Sequence, residues 1–367
     1  MIGRATLIVA TIVATPSAAA DHPSTLRVAQ LERCFVEQSA RVPFSGIALA
    51  ANGGARFEHA SGFVDEAGAR GANADVPFRL ASVQKVLTAI AIGKLVDQGK
   101  ITLDAPVSRY LGGIPADLGA ATIDQLLHHR SGAASFTMIS PEFVEGVRAA
   151  KSARDLVPLV AAQPLAFPPG SRTEYSNGGY LLLGGVIEAV SGQTYGDYLQ
   201  AGIFGPLHMA HSAFATPTDT ATRFSRVSPG GMIDNPRPIS GNKHAAPTAA
   251  GDGVSSAADL LALGRALVGN QLLSNSVKER IFPRRSGPWR IGQSGGAPGT
   301  NTDFAVFPDS GWVVVVLSNF DPPGGELMGE VLRKVALGGP CQPIGAEDRP
   351  SPFHLILTPP PPPPTKS

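Results

Sequence analysis

Residues Leu80–Val96 read LASVQKVLTAIAIGKLV. The run has the length of a helix and is apolar almost all the way round, the composition of a helix buried on every side. Lys85 nevertheless sits inside it, three residues after Ser82. Positions i and i+3 share a helix face, so hydroxyl and amine can meet. With Ser82 at the helix start, unpaired backbone N–H groups surround it and the helix dipole favours negative charge there. Burial disfavours an ammonium, and a neutral amine beside a hydroxyl is a general base beside a nucleophile. Ser-x-x-Lys also arises by chance, and a lysine can snorkel out of a buried stem. The spacing alone leaves both readings open.

Working outward, the run ends at Gly99, a natural C-terminal stop. Before it, a short helix is expected over about Ser24–Gln38, with Val28, Leu31 and Phe35 on one face. Next comes FSGIALAANGGARFEHASGFV, two short runs around Asn52-Gly53, a strong hairpin signal. From about 100 to 280 the pattern is mostly helical: YLLLGGVIEAVSG stops on Gly192, and SSAADLLALGRAL opens on a serine cap with Asp259 in its first turn. Strand signals return with TDFAVF, the turn PDSG, and WVVVVLSN. A closing helix over Gly325–Leu337 is apolar at Leu327, Val331 and Val335 and carries Arg333 and Lys334 in its last turn, where cations suit the dipole.

Strands at both chain ends and helices between them predict an α+β fold. One antiparallel sheet is built from both ends and flanked by the terminal helices, with an inserted, mostly helical region. The expected division is a sheet part over about 21–80 plus 281–345 and a helical part over about 81–280, with a cleft between them as the natural site.

Charged residues make up 16% of the 367 and the formal net charge is +1. No basic patch favours nucleic acid or an anionic membrane surface. MIGRATLIVATIVATPSAAA, residues 1–20, has an early cation, a short apolar run and a small-residue end, the layout of an export signal. The apolar run is too short to span a bilayer, so a periplasmic or secreted protein is expected, with no stable membrane span once the signal is removed. Cys34 and Cys341 are the two cysteines. In an oxidising compartment they can pair, and two separate buried thiols are the alternative; convergence of the terminal helices favours the pair. Residues 346–367 contain a run of six consecutive prolines, Pro359–Pro364, which imposes polyproline II, and read as a flexible tail or a docking segment.

A second chemical signal lies in FPPGSRTEYSNGGYLLLGGVIEAV. Tyr175 stands on a loop just before a helix, where it can relay a proton, and Asn177 points the same way two residues on and can bind a substrate amide. The alternative is an ordinary helix-entry loop. Ser82-x-x-Lys85, then Tyr175-x-Asn177, then a glycine-rich strand near the C-terminus resembles the three-motif order of the serine β-lactamase and penicillin-binding protein superfamily. Within it, the chain is most similar to the class C β-lactamase-like esterases, D-aminopeptidases and D-alanyl-D-alanine carboxypeptidases. LVDQGKITLDAPVSRYL, IDQLLHHRSG, IFGPLHM and GDGVSSAADLLALGRAL carry the resemblance across most of residues 40–320.

The resemblance implies the β-lactamase/transpeptidase-like fold over 21–345. It also implies an acyl-enzyme on Ser82, Lys85 as its base, Tyr175 as proton shuttle, Asn177 on the substrate's amide or carbonyl side, and no cofactor. The third motif falls in RIGQSGGAPGTNTDF, where Gln293-Ser294-Gly295 fills the three positions and Gly296 follows. The backbone N–H groups of Ser82 and Gly296 would form the oxyanion hole, each such donor worth ~3 kcal/mol.

Gln293 departs from the Lys or His that the resemblance leads one to expect. A cation ~4 Å from a carboxylate gains up to ~4 kcal/mol at an effective dielectric near 20, against about 1 kcal/mol for a neutral hydrogen bond. Gln293 therefore tilts the expected substrate toward neutral esters or amides of small molecules or peptides and weakens the relay around Tyr175. Arg290 or Lys243 can restore the charge, which keeps a D-alanyl-D-alanine carboxypeptidase or β-lactamase as the alternative.

Three competing readings remain. Gly292-Gln-Ser-Gly-Gly296 also matches Gly-x-Ser-x-Gly, the elbow of α/β-hydrolases, with Ser294 as nucleophile; that motif needs a helix after it, and its histidine would have to be His354. A catalytically weak peptidoglycan-binding or scaffold protein is supported by Gln293 and the proline tail. His208 and His211 have i, i+3 spacing with no adjacent acid, so no metal is expected. His128 and His129 read as structural.

Overall fold

The computed structural model describes residues 23–135, 145–146, 149–214, 219–228, 231–238 and 248–346. The expected export signal, the proline tail, Lys243 and His354 lie outside the described residues. Among those described, no helix is long and apolar enough to cross a membrane.

A five-stranded antiparallel sheet carries the molecule. Its strands are β1 (Gly46–Asn52), β2 (Ala55–Ser61), β3 (Ile291–Ala297), β4 (Thr300–Phe307) and β5 (Trp312–Ser318), in spatial order β2-β1-β5-β4-β3. The two chain ends meet where β1 pairs with β5, from Gly46↔Ser318 to Ala51↔Val313. Asn52 and Ala55 close the β1–β2 hairpin around Gly53 and Gly54.

The unbroken apolar run of β5 follows from burial of the sheet on both faces. Val313, Val315 and Leu317 enter one core with Ile47 and Leu49. Val314 and Val316 enter the other with Ala48 and Ala50. Two helices cover this second face: α1 (Pro23–Ser39) brings Leu31, Cys34 and Phe35, and α5 (Gly324–Ala336) brings Met328, Val331, Leu332 and Val335. A Cys34–Cys341 disulfide ties α1 to the chain beyond α5.

On the first face lie α2 (Gln84–Asp97), α3 (Asn177–Ser191) and α4 (Ala257–Val268). Helix α2 is buried on all sides, Gln84 to Gly93 without a break. Three of its polar side chains pin one passing segment. Gln84 Nε2 donates to Thr248 O (2.8 Å), Thr88 Oγ1 to Ala249 O (2.7 Å) and Lys85 Nζ to Ala250 O (2.6 Å). Helix α4 starts at Ser256, whose side chain accepts from the Asp259 N–H.

The middle of the chain is less helical than the sequence suggests. Phe224–Ser228 and Gly231–Pro238 form a two-stranded hairpin, and Phe78–Arg79 pairs with Val254–Ser255. The first hairpin has little apolar alternation and carries Pro236 and Pro238, which hide a strand from a periodicity reading.

Candidate active site

Ser82 lies in a 3-10 turn, Ala81–Val83, that runs directly into α2. Ala81 holds φ +45°, outside the usual range for a residue with a side chain. The turn delivers Ser82 half-buried to the head of the helix, with Lys85 one turn further in and only 2% exposed.

Helix α3 supplies the next two groups. Ser176 caps it, accepting from the Gly179 N–H at 3.0 Å, and Gly192 ends it at φ +73°. Tyr175 therefore precedes the cap and Asn177 opens the helix, so the first turns of α2 and α3 face each other. Tyr175 OH lies 2.6 Å from Ser82 Oγ. Lys85 Nζ is 3.2 Å from Ser82 Oγ and 2.9 Å from Asn177 Oδ1. Four groups drawn from two stretches some ninety residues apart are thus within one hydrogen-bonded cluster.

The electrostatics are set mainly by burial. Desolvation pulls the Lys85 amine down to about 7, and the nearby Asp252 carboxylate opposes this. Desolvation pushes the Tyr175 phenol up, partly offset by its bond to Ser82. Asp252 is itself raised by burial, with the Thr248 hydroxyl and then Arg79, Arg223 and Lys85 acting the other way. A neutral Lys85 has two N–H groups and one lone pair. Ala250 O and Asn177 Oδ1 can only accept, so they take the two N–H groups and the lone pair is left for the Ser82 hydroxyl. Tyr175, still protonated, then donates to Ser82 Oγ.

Edge strand β3 closes the site on the side of Gly295. A β-carbon there would fall 2.5 Å from Leu80 O, 2.5 Å from Thr302 Oγ1 and 2.9 Å from Ser82 N, so only glycine permits this approach. Thr302 Oγ1 donates to Leu80 O at 2.8 Å and locks the turn to β4. The main chain at Gly295-Gly296 thus runs beside the Ser82 N–H.

Strand alternation decides the neighbours of Gly295. Gln293 falls on the site side, lines the cleft and donates to Ser294 O at 3.1 Å. The Ser294 hydroxyl is turned to the other face, where it donates to Asp303 Oδ1 at 2.8 Å. Asp303 is fully buried, paired with Arg333 and 3.6 Å from Arg290. Ser294 is followed by the rest of β3, a turn and β4, so the strand-to-helix setting of a nucleophile elbow is absent there.

The cleft has a volume of about 720 Å3 and is lined by Lys85, Tyr175, Gln293, His129, Arg285 and Arg290 among others. Sequence reasoning assigned no role to Arg285 or to the Ala250 carbonyl, and took His129 as structural. Here the His129 ring stacks on Tyr175 with centroids 4.7 Å apart. Among the described residues, no group of three or more His, Cys, Asp or Glu is placed to hold a metal ion; His211 instead lies 3.9 Å from Asp259.

A model of the family described as Beta-lactamase matches residues 28–337. The chain is 32% identical over 181 residues to Esterase EstB of Burkholderia gladioli, a match covering 46% of each protein. It is 31% identical over 182 residues to Penicillin-binding protein 4* of Bacillus subtilis, covering 49% of this chain and 40% of the relative. The chain thus spans less than half the length of these curated relatives. The crystal structure of a penicillin-binding protein from Bacillus halodurans superposes with a TM-score of 0.67 at 27% identity, over 80% of this chain and 96% of that one.

Proposed function

The chain belongs to the beta-lactamase family, and on that premise we propose that it is a serine hydrolase acting on an ester or amide through an acyl-enzyme on Ser82. The observation that carries this reading is the meeting of Ser82 Oγ with Tyr175 OH at 2.6 Å and Lys85 Nζ at 3.2 Å, with the amine pulled down to about 7.

In the first half-reaction Ser82 Oγ bonds to the substrate carbonyl carbon and its proton passes to Lys85. The N–H groups of Ser82 and Gly296 would receive the oxyanion. As the carbonyl carbon releases its leaving group, that group takes the Tyr175 proton, which Lys85 replaces. In the second half a water attacks the acyl-enzyme, its proton travels through Tyr175 to Lys85, and Ser82 leaves and is reprotonated. Asn177 orients both Lys85 and the substrate.

The substrate class we propose is a small ester or amide, including short peptides, because Gln293 adds no charge to the site. The names of the relatives, an esterase and a penicillin-binding protein, are consistent with this breadth. A second reading, a carboxypeptidase or β-lactamase acting on anionic substrates, draws on Arg285 and Arg290 in the cleft wall. Arg285 has no ion-pair partner among the described residues. Export fits the disulfide, which needs an oxidising compartment to persist.

The test is turnover of a short-chain nitrophenyl ester by the wild type beside Ser82→Ala. Loss on the order of 10,000-fold in the variant is expected. Equal turnover by both would remove Ser82 from the role.

A further inference from the structure

We propose that His129 is a positioning residue for Tyr175: it clasps the main chain on both sides of Tyr175 and backs its ring, holding the phenol hydroxyl against Ser82. This rests on the roles proposed above for Ser82 and Tyr175. The clasp has two arms. The Glu174 N–H donates to the His129 carbonyl oxygen at 2.9 Å. The Ser176 N–H donates to His129 Nδ1 at 3.1 Å. The same residue thus receives the peptide N–H immediately before Tyr175 and the one immediately after it.

Both arms depend on an uncommon backbone. His129 holds φ +57°, in the left-handed region that only a few per cent of non-glycine residues occupy. That turn lets one residue present its carbonyl and its ring to the same passing segment. Strain of this kind persists only where the surroundings over-determine it, and it gathers at functional sites. The ring then serves a second purpose. It lies between Tyr175, at 4.7 Å and a 36° tilt, and Tyr180, at 5.3 Å. Tyr180 is in turn anchored by its hydroxyl to Leu127 O at 3.0 Å. Tyr175 itself is 41% exposed, so its ring is only partly held by its surroundings.

The first arm needs only a carbonyl. The second needs Nδ1 unprotonated, since a protonated nitrogen cannot accept from the Ser176 N–H. Desolvation first, then the nearby Lys85, hold the imidazole down to about 4, so the ring remains an acceptor at neutral pH.

The experiment is a cycle of His129→Gly and Tyr175→Phe, alone and combined. Acylation by a nitrophenyl ester is followed with enzyme in excess, so that slow variants stay readable. His129→Gly relieves the backbone strain and removes Nδ1 and the ring. It is expected to lower the acylation rate about 10- to 100-fold, the scale of a misplaced reacting group, with little change in KM. In the Tyr175→Phe background, where no hydroxyl remains to be placed, the same change is expected to cost less than about twofold. His129→Asn keeps a left-handed backbone and an acceptor at the Nδ1 position but not the ring, and is expected to recover part of the rate, which also guards against a glycine variant that folds poorly. Equal losses in both backgrounds, an asparagine variant as slow as the glycine one, or an undiminished His129→Gly would each overturn the assignment. Ser82→Ala separates the two levels. If it retains full turnover, the Ser82 acyl-enzyme reading falls and the His129 role with it; if it is inactive, any failure belongs to His129 alone.

Discussion

Lys85 Nζ donates to the carbonyl oxygen of Ala250 at 2.6 Å, the shortest of the three polar contacts that surround this buried amine. A carbonyl cannot give a proton back, so this contact fixes one N–H of Lys85 and leaves the side facing Ser82 for proton exchange. In the proposed mechanism the neutral amine is the base, and burial brings its midpoint down to about 7. Ester kcat/KM is therefore expected to fall as the pH drops below about 7 and to level off above about 8. Lys85→Met should lower kcat by roughly 100- to 10,000-fold, the usual contribution of a general base, and abolish that acid limb.

The same amine links pH to stability. Its ordinary value is 10.5 and burial lowers it to about 7. Between those values the unfolded chain holds a proton on Lys85 that the folded chain has released. Stability thus rises with pH from about 7 to about 10.5, and below 7 the full penalty of burying the charge applies. Urea melts at pH 7 and 9 are expected to show a slope steeper in the wild type than in Lys85→Met by up to ~1.4 kcal/mol per pH unit.

Much of this site was open to the sequence because its geometry is local. Ser82 and Lys85 lie one helical turn apart, and the apolar run around them announces the burial that lowers the amine. The Asn52-Gly53 turn, the β5 run and the caps at Ser256 and Gly192 are likewise short-range signals. Tyr175 and Asn177 stand about ninety residues from Lys85, and only the resemblance joined them to it. The orientation of Ser294 depends on strand parity, which a shift of one residue reverses. The part of Ala250 is played by a carbonyl, which no residue type reveals. His129 acts on Ser176 across 47 positions through a left-handed turn, and "HH" in the sequence carries no trace of it.

Gly295 allows a direct test of the proposed oxyanion geometry. An alanine β-carbon would meet backbone at Leu80 O and Ser82 N, neither of which is a flexible side-chain end. Gly295→Ala should push β3 away from the Ser82 turn and lower kcat 100-fold or more, the loss of about one oxyanion donor. The fold rests on the rest of the sheet, so thermal melts should show a far smaller defect than the kinetics.

Behind β3, Asp303 is fully buried between Arg333 and Arg290 and receives the Ser294 hydroxyl. Removing one member of a buried ion pair leaves the other unpaired, at a cost of about 3–5 kcal/mol. Asp303→Leu alone should destabilise by that order in urea. Asp303→Leu with Arg333→Met removes both charges and should regain most of the loss. A double variant no better than the single would show that the pair is not the source of the defect.

The disulfide gives a stability test that leaves the chemistry aside. Cys34 and Cys341 are 307 residues apart, so the bond removes a very large loop from the unfolded ensemble. It joins α1 to the chain beyond α5, on the face of the sheet opposite α2 and α3. Reduction, or Cys34→Ser with Cys341→Ser, should lower stability by about 2–5 kcal/mol and leave ester kcat nearly unchanged at temperatures where the protein stays folded. A large kcat loss without a loss of stability would mean that the terminal helices couple to the Ser82 turn through the sheet.

The two proposed substrate classes differ in what they ask of the cleft wall. Gln293 contributes no cation, while Arg285 and Arg290 stand in the same cleft and Arg290 shares Asp303. Two esters that differ only by a carboxylate beside the scissile bond separate the two proposed readings. For a neutral-substrate enzyme, Arg285→Gln and Arg290→Gln leave both esters alike. For an enzyme of anionic substrates, each change should raise KM for the carboxylate ester alone, by roughly 10-fold or more if the arginine makes a charge-assisted bond worth about 1.5–3 kcal/mol. Gln293→Lys adds a charge to the cleft lining and should improve kcat/KM for the carboxylate ester under either reading. Its failure to do so would show that the substrate's acidic group, if it has one, does not lie along β3.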